Sequence, residues 1–303
     1  MRAVEGVITA LVTPFDRDGE VMEDAIRSLV DFQTEAGVNG LFLCGTAGLG
    51  AVMRPAQKRR VFEVASEAAA GRVSVIAHVG APSTEEAVEL ARHAEAAGVD
   101  AIGCVTPYYF TPDEASIIEH YRRVAGAVDL PVYVYNIPRN AITNIQPELM
   151  LKLCEIENIA GVKDSSRDFV QVLEYLQVLP EDRAVICGTD SYILPALIMG
   201  ARGAITGYAN AFPEVYVDFY KSFLKGDYEA ARRQQFMINL LRKAMQRPPI
   251  APYYEALRLR GIEAGCPRAP LRPMNPKEAE GLKAKLEELG VLQGRNLEPI
   301  KSS

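Results

Sequence analysis

Eight short apolar segments rich in β-branched residues alternate with longer amphipathic stretches along this chain, and no other feature limits the possible folds as tightly. The segments are GVITALVTP near Ile8, GLFLCG near Leu43, VSVIAHVG near Ile76, DAIGCVTP near Ile102, PVYVYNIP near Val134, IAGVKD near Val162, AVICGTD near Ile186 and GAITG near Ile205. Between them, stretches such as EDAIRSLVDFQTEAG and STEEAVELARHAEAAG carry apolar residues at three- and four-residue spacing and end on glycine, as amphipathic helices do. Such alternation predicts a parallel sheet with crossover helices. A weak internal repeat agrees: AGVNGLFL, AGVDAIGC and MGARGAIT each join a helix end to a strand by the same glycine-containing turn. Strands apolar on both faces fit a closed (β/α)8 TIM barrel better than an antiparallel sandwich. An open doubly wound sheet is the rival, but no dinucleotide fingerprint follows the first strand, and GTAGLG is not GxGxxG.

The barrel is expected to occupy residues 1–211. From Phe212 onward the chain reads as helices packed on the barrel over 212–303, a surface for contact with other subunits, and the polar tail after Gly294 is expected to fray. With 49% apolar and 24% charged residues, the composition is that of an ordinary globular protein. A net charge of −6 and the lack of any dense Lys/Arg run argue against nucleic acid or anionic lipid as partners. The apolar run in MRAVEGVITALVTPF, broken by Thr13 and Pro14, is too short for a signal-peptide core or a membrane span, so a cytoplasmic location is expected. Cys44, Cys104, Cys154, Cys187 and Cys266 are odd in number, with no CxxC pair; they predict buried small apolar residues, with neither a disulfide framework nor a metal site.

In a barrel of this kind the active site lies at the C-terminal ends of the strands, so the residues closing each run carry the interest. Lys163 follows the uncharged segment NIAGV, which would set its amine over the barrel axis. A desolvated lysine keeps some neutral amine near neutral pH and can attack a ketone to form an imine. On position alone, a solvated lysine at a strand end is the simpler reading. Tyr135 closes VYVYNIP, where its hydroxyl can pass protons to a substrate oxygen; a core tyrosine with a wet tip is the alternative. GTAGLG offers Thr46 and a run of backbone N–H groups suited to a carboxylate, or is merely a glycine-rich loop. Around Gly188 and Ile205, small residues at the strand mouths let a ligand approach backbone closely, and phosphate binding there is a competing reading.

TPF at Pro14, GTAGLG, VTPYYF, VYNIP, GVKDSS, CGTD and ITGYAN stand in the order and spacing of the dihydrodipicolinate synthase and N-acetylneuraminate lyase family, which the chain resembles from about Gly6 to the final helices. Each motif is weak alone, but YNIP followed by GVKD, with GTxG upstream, is specific in combination. The resemblance implies a pyruvate-dependent class I aldolase with Lys163 as the Schiff-base lysine and Tyr135 as proton shuttle. It implies that Thr46 links Tyr135 to a tyrosine of the adjacent subunit, matched by Tyr109, and hence a homotetramer or dimer. It implies that the Thr46 and Ala47 backbone binds the pyruvate carboxylate, with Gly188 and Ile205 shaping the site and no metal or organic cofactor taking part. His78 would border the pocket in a structural role, while His93 and His120 read as helix-surface residues.

The sequence departs from the commonest family pattern at two places. Ala47 and Leu49 stand where a second Thr and a Glu are usual, a change that leaves the N–H groups in place and resembles archaeal 2-keto-3-deoxygluconate aldolases. The slot in which dihydrodipicolinate synthases carry an arginine for the carboxylate of aspartate semialdehyde holds Asn140, with Arg139 one residue earlier. Ser165 and Asp190 match polyol-contacting positions of sialic acid lyases. The expected reaction is therefore reversible cleavage of a 2-keto-3-deoxy sugar acid to pyruvate and an aldehyde. Condensation of pyruvate with aspartate semialdehyde is the alternative, and a catalytically inactive sugar-acid-binding protein a third reading.

Overall fold

In the computed structural model, which describes residues 4–292, each of the eight apolar segments supplies one strand. These are β1 (Gly6–Ala10), β2 (Gly40–Leu43), β3 (Ser74–His78), β4 (Ala101–Val105), β5 (Val132–Asn136), β6 (Ile159–Asp164), β7 (Ala184–Cys187) and β8 (Gly203–Thr206). Neighbours in sequence pair in parallel, and β8 returns to β1, closing the expected (β/α)8 barrel. The polar tail after Gly294 lies outside the described residues.

Side-chain alternation along the strands divides the core into two layers. Val7, Leu41, Val75, Val134, Val162 and Val185 face outward against the helices, whereas Ile8, Phe42, Ile76, Tyr135, Ile186 and Ile205 fill the lumen. Both faces are apolar, which is why the strands read as unbroken hydrophobic runs in the sequence. The surrounding helices include α1 (Glu23–Ala36), α2 (Pro55–Ala69), α3 (Thr84–Ala96), α4 (Glu114–Ala125), the short α5 (Pro138–Ala141) and α6 (Pro147–Leu153), α7 (Phe169–Val178) and α8 (Ile193–Ile198). The repeated helix-to-strand turn has one physical cause. Gly37, Gly98 and Gly200 take φ of 90°, 75° and 113°, values that a residue with a Cβ rarely adopts.

After β8, helix α9 (Pro213–Leu224) packs on β1 and α1, and α10 (Tyr228–Ala244) packs on α9 and against the turn that follows β7. Helices α11 (Ala251–Leu259) and α12 (Pro276–Glu288) pack on each other, and the outer apolar layer runs without a break from Val7 to Leu286. No helix among the described residues is long and apolar enough to cross a membrane.

Two expectations need correction. His120 is not a surface residue: it is 2% exposed, on the face of α4 that packs inward with Ile117, Tyr121 and Val124. Its Nδ1 pairs with Thr84 Oγ1 at 2.9 Å and its Nε2 meets Cys104 Sγ at 3.5 Å, so both polar atoms are satisfied away from water. Four of the cysteines are buried as expected, but Cys266 is only half-buried, on a β-bridge to Phe15. His93 is exposed.

Candidate active site

Strand alternation decides the direction of Lys163. With Val162 outward, Lys163 points into the lumen, where it is 4% exposed and lies beside Tyr135 in the β5/β6 register. In a barrel of eight strands in order, β2 stands opposite β6, and Phe42 of β2 projects inward to meet the lysine. The Lys163 Nζ sits 3.8 Å from the Tyr135 ring centroid and 4.1 Å from that of Phe42. Space for the phenyl ring depends on missing side chains. A Cβ at Gly45 would stand 2.5 Å from Phe42 Cε1, and one at Gly103 2.6 Å from Cε2. Burial pulls the amine down from 10.5 to about 7, against the opposing pull of the Asp190 carboxylate. A large neutral fraction at neutral pH makes it a nucleophile.

Tyr135 is held by its neighbours on three sides. Its hydroxyl is 3.2 Å from Thr46 Oγ1, its ring meets Phe42 edge-on at 5.7 Å, and the His78 ring meets it edge-on at 5.6 Å. Burial raises the phenol above its ordinary value, an effect that hydrogen bonds to Thr46 and Ser165 oppose. His78 does not line the cavity itself. It lies behind the tyrosine with Nδ1 3.2 Å from Cys44 O, and burial pushes it down to about 3, so it is a neutral packing partner.

The GTAGLG turn is fixed by contacts too close for other side chains. A Cβ at Gly50 would lie 1.8 Å from Cys44 O, and one at Gly48 2.8 Å from Leu11 O. Thr13 Oγ1 donates to Gly48 O at 2.8 Å, tying the turn to the segment that follows β1. Thr46 and Ala47 thereby reach the cavity mouth on the β2 side.

The cavity holds about 420 Å³ and is lined on its other side by Arg139, Ser165, Gly188, Asp190 and Ile205. At Gly188 a Cβ would strike Ser165 Oγ at 2.1 Å. Asp190 is 8% exposed; its Oδ1 accepts from Thr206 Oγ1 and, at 2.8 Å, from the Tyr216 hydroxyl, while burial raises its carboxyl above the usual range. Two expected residues stand apart from this group. Asn140 is exposed and does not line the cavity, since α5 turns Arg139 toward it instead. Tyr109 is 80% exposed at φ 81°, packed edge-on against Phe110 at 5.1 Å and absent from the lining of its own chain's cavity.

Sequence reasoning missed several participants. Arg167, Tyr208, Arg242, Arg247 and Tyr253 all line the cavity, four of them from helices or connections after β8. Asn136 and Asp164, which directly follow the inward-facing Tyr135 and Lys163, brace the site from the outer face of β5 and β6. Asn136 Nδ2 donates to Asp164 Oδ1 at 2.8 Å, Ser166 Oγ donates to Oδ2 at 2.6 Å, and Asn136 Oδ1 accepts from Ile145 N at 3.0 Å. The signal for these two lay in the motifs VYNIP and GVKDSS, where a polar residue directly follows the tyrosine and the lysine.

Comparison with known proteins agrees with the fold. The sequence profile of the Dihydrodipicolinate synthetase family matches residues 3–289. An uncharacterized DapA-like lyase of Halobacterium salinarum is 39% identical over 290 residues, 95% of each chain. A 4-hydroxy-tetrahydrodipicolinate synthase of Desulfotalea psychrophila is 34% identical over 294 residues, 96% of this chain and 99% of the relative. Among solved structures, YagE of Escherichia coli K12 in complex with pyruvate superposes with a TM-score of 0.93 at 27% identity, covering 96% of this chain and all of that one.

Proposed function

The chain belongs to the dihydrodipicolinate synthetase family and is an enzyme of its lyase and aldolase class, and from that premise we propose that it holds pyruvate as a Schiff base on Lys163 and reversibly cleaves a 2-keto-3-deoxy sugar acid to pyruvate and an aldehyde. The observation that carries this reading is the buried Lys163 amine at about 7, lodged between the Phe42 and Tyr135 rings beside the Tyr135–Thr46 hydroxyl pair.

In the cleavage direction the neutral amine adds to the C2 carbonyl, and the Tyr135 hydroxyl gives its proton to the carbinolamine oxygen, which leaves as water to give a protonated imine and a Tyr135 phenolate. The C3–C4 bond then breaks; its electron pair enters the imine to form an enamine, and the C4 hydroxyl proton passes to the Tyr135 oxygen as the aldehyde departs. Tyr135 gives that proton to C3, and water adds to the resulting imine with its proton passing to the phenolate, so that collapse of the carbinolamine releases pyruvate and restores the neutral amine and the phenol. Since the imine is the electron sink, the reaction as written calls for no metal or organic cofactor. The Thr46 and Ala47 amides bind the pyruvate carboxylate. Gly188 and Ile205 shape the floor, and Ser165 and Asp190 receive hydroxyls of the aldehyde half. Tyr109, exposed in one chain, reaches the Thr46–Tyr135 relay of an adjacent subunit in a homotetramer or dimer. The protein acts in the cytoplasm, and the division into a barrel over 1–211 and helices over 212–303 packed on it belongs to the same reading.

Arg139 on the cavity wall favours a second reading, condensation of pyruvate with aspartate semialdehyde, because a guanidinium binds a carboxylate well. Borohydride treatment with pyruvate, followed by peptide mass analysis, tests the chemistry shared by both. A reduced adduct on Lys163, lost in Lys163→Arg, is expected. Labelling at another lysine, or turnover by that variant, would remove the mechanism, and no adduct at all would leave a binding protein.

A further inference from the structure

Two of the described lysines are buried, and their charges are met differently. Lys58 Nζ reaches the Glu86 carboxylate at 3.3 Å, the ion pair that a buried ammonium ordinarily needs. Lys163 makes no ion pair or side-chain hydrogen bond among the described residues. Asp190 attracts it without bonding to it, and the Asp190 Oδ1 already accepts from Thr206 and Tyr216. What stands directly against the Lys163 nitrogen is a pair of aromatic rings.

Nζ lies 3.8 Å from the Tyr135 centroid and 4.1 Å from that of Phe42, and distances this short place it over each face, since a ring's own edge bars an in-plane approach. The two centroids are 5.7 Å apart and the rings cross at 84°, so the nitrogen sits in the corner where both faces converge. A ring face carries the negative part of its quadrupole and attracts a cation, most strongly where water is kept out. The corner is held by its surroundings. The His78 ring backs both walls, 5.8 Å from Phe42 and 5.6 Å from Tyr135, and its Nδ1 is anchored on Cys44 O. Gly80 leaves room for that ring, because a Cβ there would lie 2.9 Å from His78 Nε2. Burial keeps the imidazole neutral, so it adds no further charge to the cluster.

Condensation changes what this corner must hold. The free amine can shed its proton near neutral pH, whereas the protonated imine formed from it keeps a positive charge on the same nitrogen until the enamine forms. We infer that Phe42 takes part in the reaction: its face and that of Tyr135 bind the positive charge of the Lys163 imine, and His78 is the positioning residue that keeps the two rings at their angle. The inference rests on the Schiff-base reading. Phe42 is the half of the corner that can be tested alone, because Tyr135 also carries protons.

The probe is pyruvate, titrated calorimetrically against the full chain with Phe42 intact or replaced by mono-, di- and trifluorinated phenylalanine. Fluorine drains the ring face of negative charge and leaves its shape nearly unchanged. At about pH 8, where the amine is mostly neutral and imine formation creates the charge, pyruvate binding is expected to weaken with each fluorine, by roughly three- to thirtyfold across the series. At about pH 6 the free ammonium loses the same attraction, so the spread should narrow toward one. Affinity independent of fluorination at both pH values overturns the inference. His78→Asn, whose amide can still donate to Cys44 O, should flatten the fluorine dependence by loosening the rings, and His78→Phe should retain it; an undiminished dependence in His78→Asn removes the positioning role.

The free protein gives a second readout that needs no pyruvate. The titration of Lys163, followed by NMR on lysine labelled at Cε and assigned with Lys163→Met, should move below about 7 as fluorines are added. An unmoved or raised value means that the ring only excludes water, and overturns the role of its face. If borohydride traps pyruvate on Lys163 with no fluorine dependence, this inference fails and the Schiff-base reading stands. If nothing is trapped while the titration still moves down, the Schiff-base reading fails and only the corner for a Lys163 cation remains.

Discussion

Measuring kcat/KM for pyruvate from about pH 5 to 10 reads the protonation of Lys163 in the free enzyme, because only the neutral amine adds to the carbonyl. Burial between two aromatic rings lowers that amine from 10.5 to about 7. At pH 7 an amine titrating near 7 is about half neutral, whereas one at 10.5 is neutral in roughly one molecule in 3,000, so the pocket supplies about three decades of nucleophile. The profile is therefore expected to rise as pH increases through about 7 and to flatten above it. Asp190 gives the control. Its carboxylate is the one named group that pulls Lys163 upward, so Asp190→Asn, whose amide oxygen can still accept from Thr206 and Tyr216, should move the rising limb to lower pH. A limb near 10 in the wild type, or an upward movement in Asp190→Asn, would refute the claim that burial makes this lysine reactive.

The same burial predicts a stability effect of definite sign. Lys163 titrates lower in the folded chain than in the unfolded one, so its burial costs most below about pH 7, and the cost fades as pH rises toward 10.5. Lys163→Met should thus resist denaturant better than wild type by up to roughly 5 kcal/mol near pH 6, the gap closing in alkali; equal stability across the range would contradict it. Tyr109→Phe should lower turnover roughly 10- to 1000-fold while borohydride trapping persists, and a fully active monomer in sedimentation would rule out its part in a neighbour's relay. Asp164→Ala leaves the donors of Asn136, Ser166 and Gln171 facing a vacated acceptor and should cost about 3 kcal/mol or more in chemical unfolding, with Asp164→Asn milder; a neutral Asp164→Ala would mean that the network under the site is not structural.

A large share of this protein was readable before any tertiary contact. Unbroken β-branched apolar runs joined by 3.6-period helices and glycine turns specify a parallel barrel, since a strand buried on both faces and a helix buried on one each leave their own pattern in the local sequence. Lys163 and Tyr135 were legible because they close such runs, and barrel strands deliver their last residues to one rim. Sequence position could not tell which way a helix residue turns once packed. His120, read as exposed, is buried because α4 rotates that face onto Cys104 and Thr84. For the same reason Arg139, and not Asn140, meets the cavity after the short turn of α5.

Only closure of the barrel brought Phe42 of β2 across the lumen to Lys163 of β6, a contact between residues 121 positions apart. Only the packing of α10 and α11 on the barrel set Arg242, Arg247 and Tyr253 on the wall of a site whose other half lies near residue 46. Sequence by itself determined the strands, the turns and the lysine, because each depends on neighbours a few residues away. The depressed amine depends on burial and on the charge of the remote Asp190, and both exist only once the chain has closed.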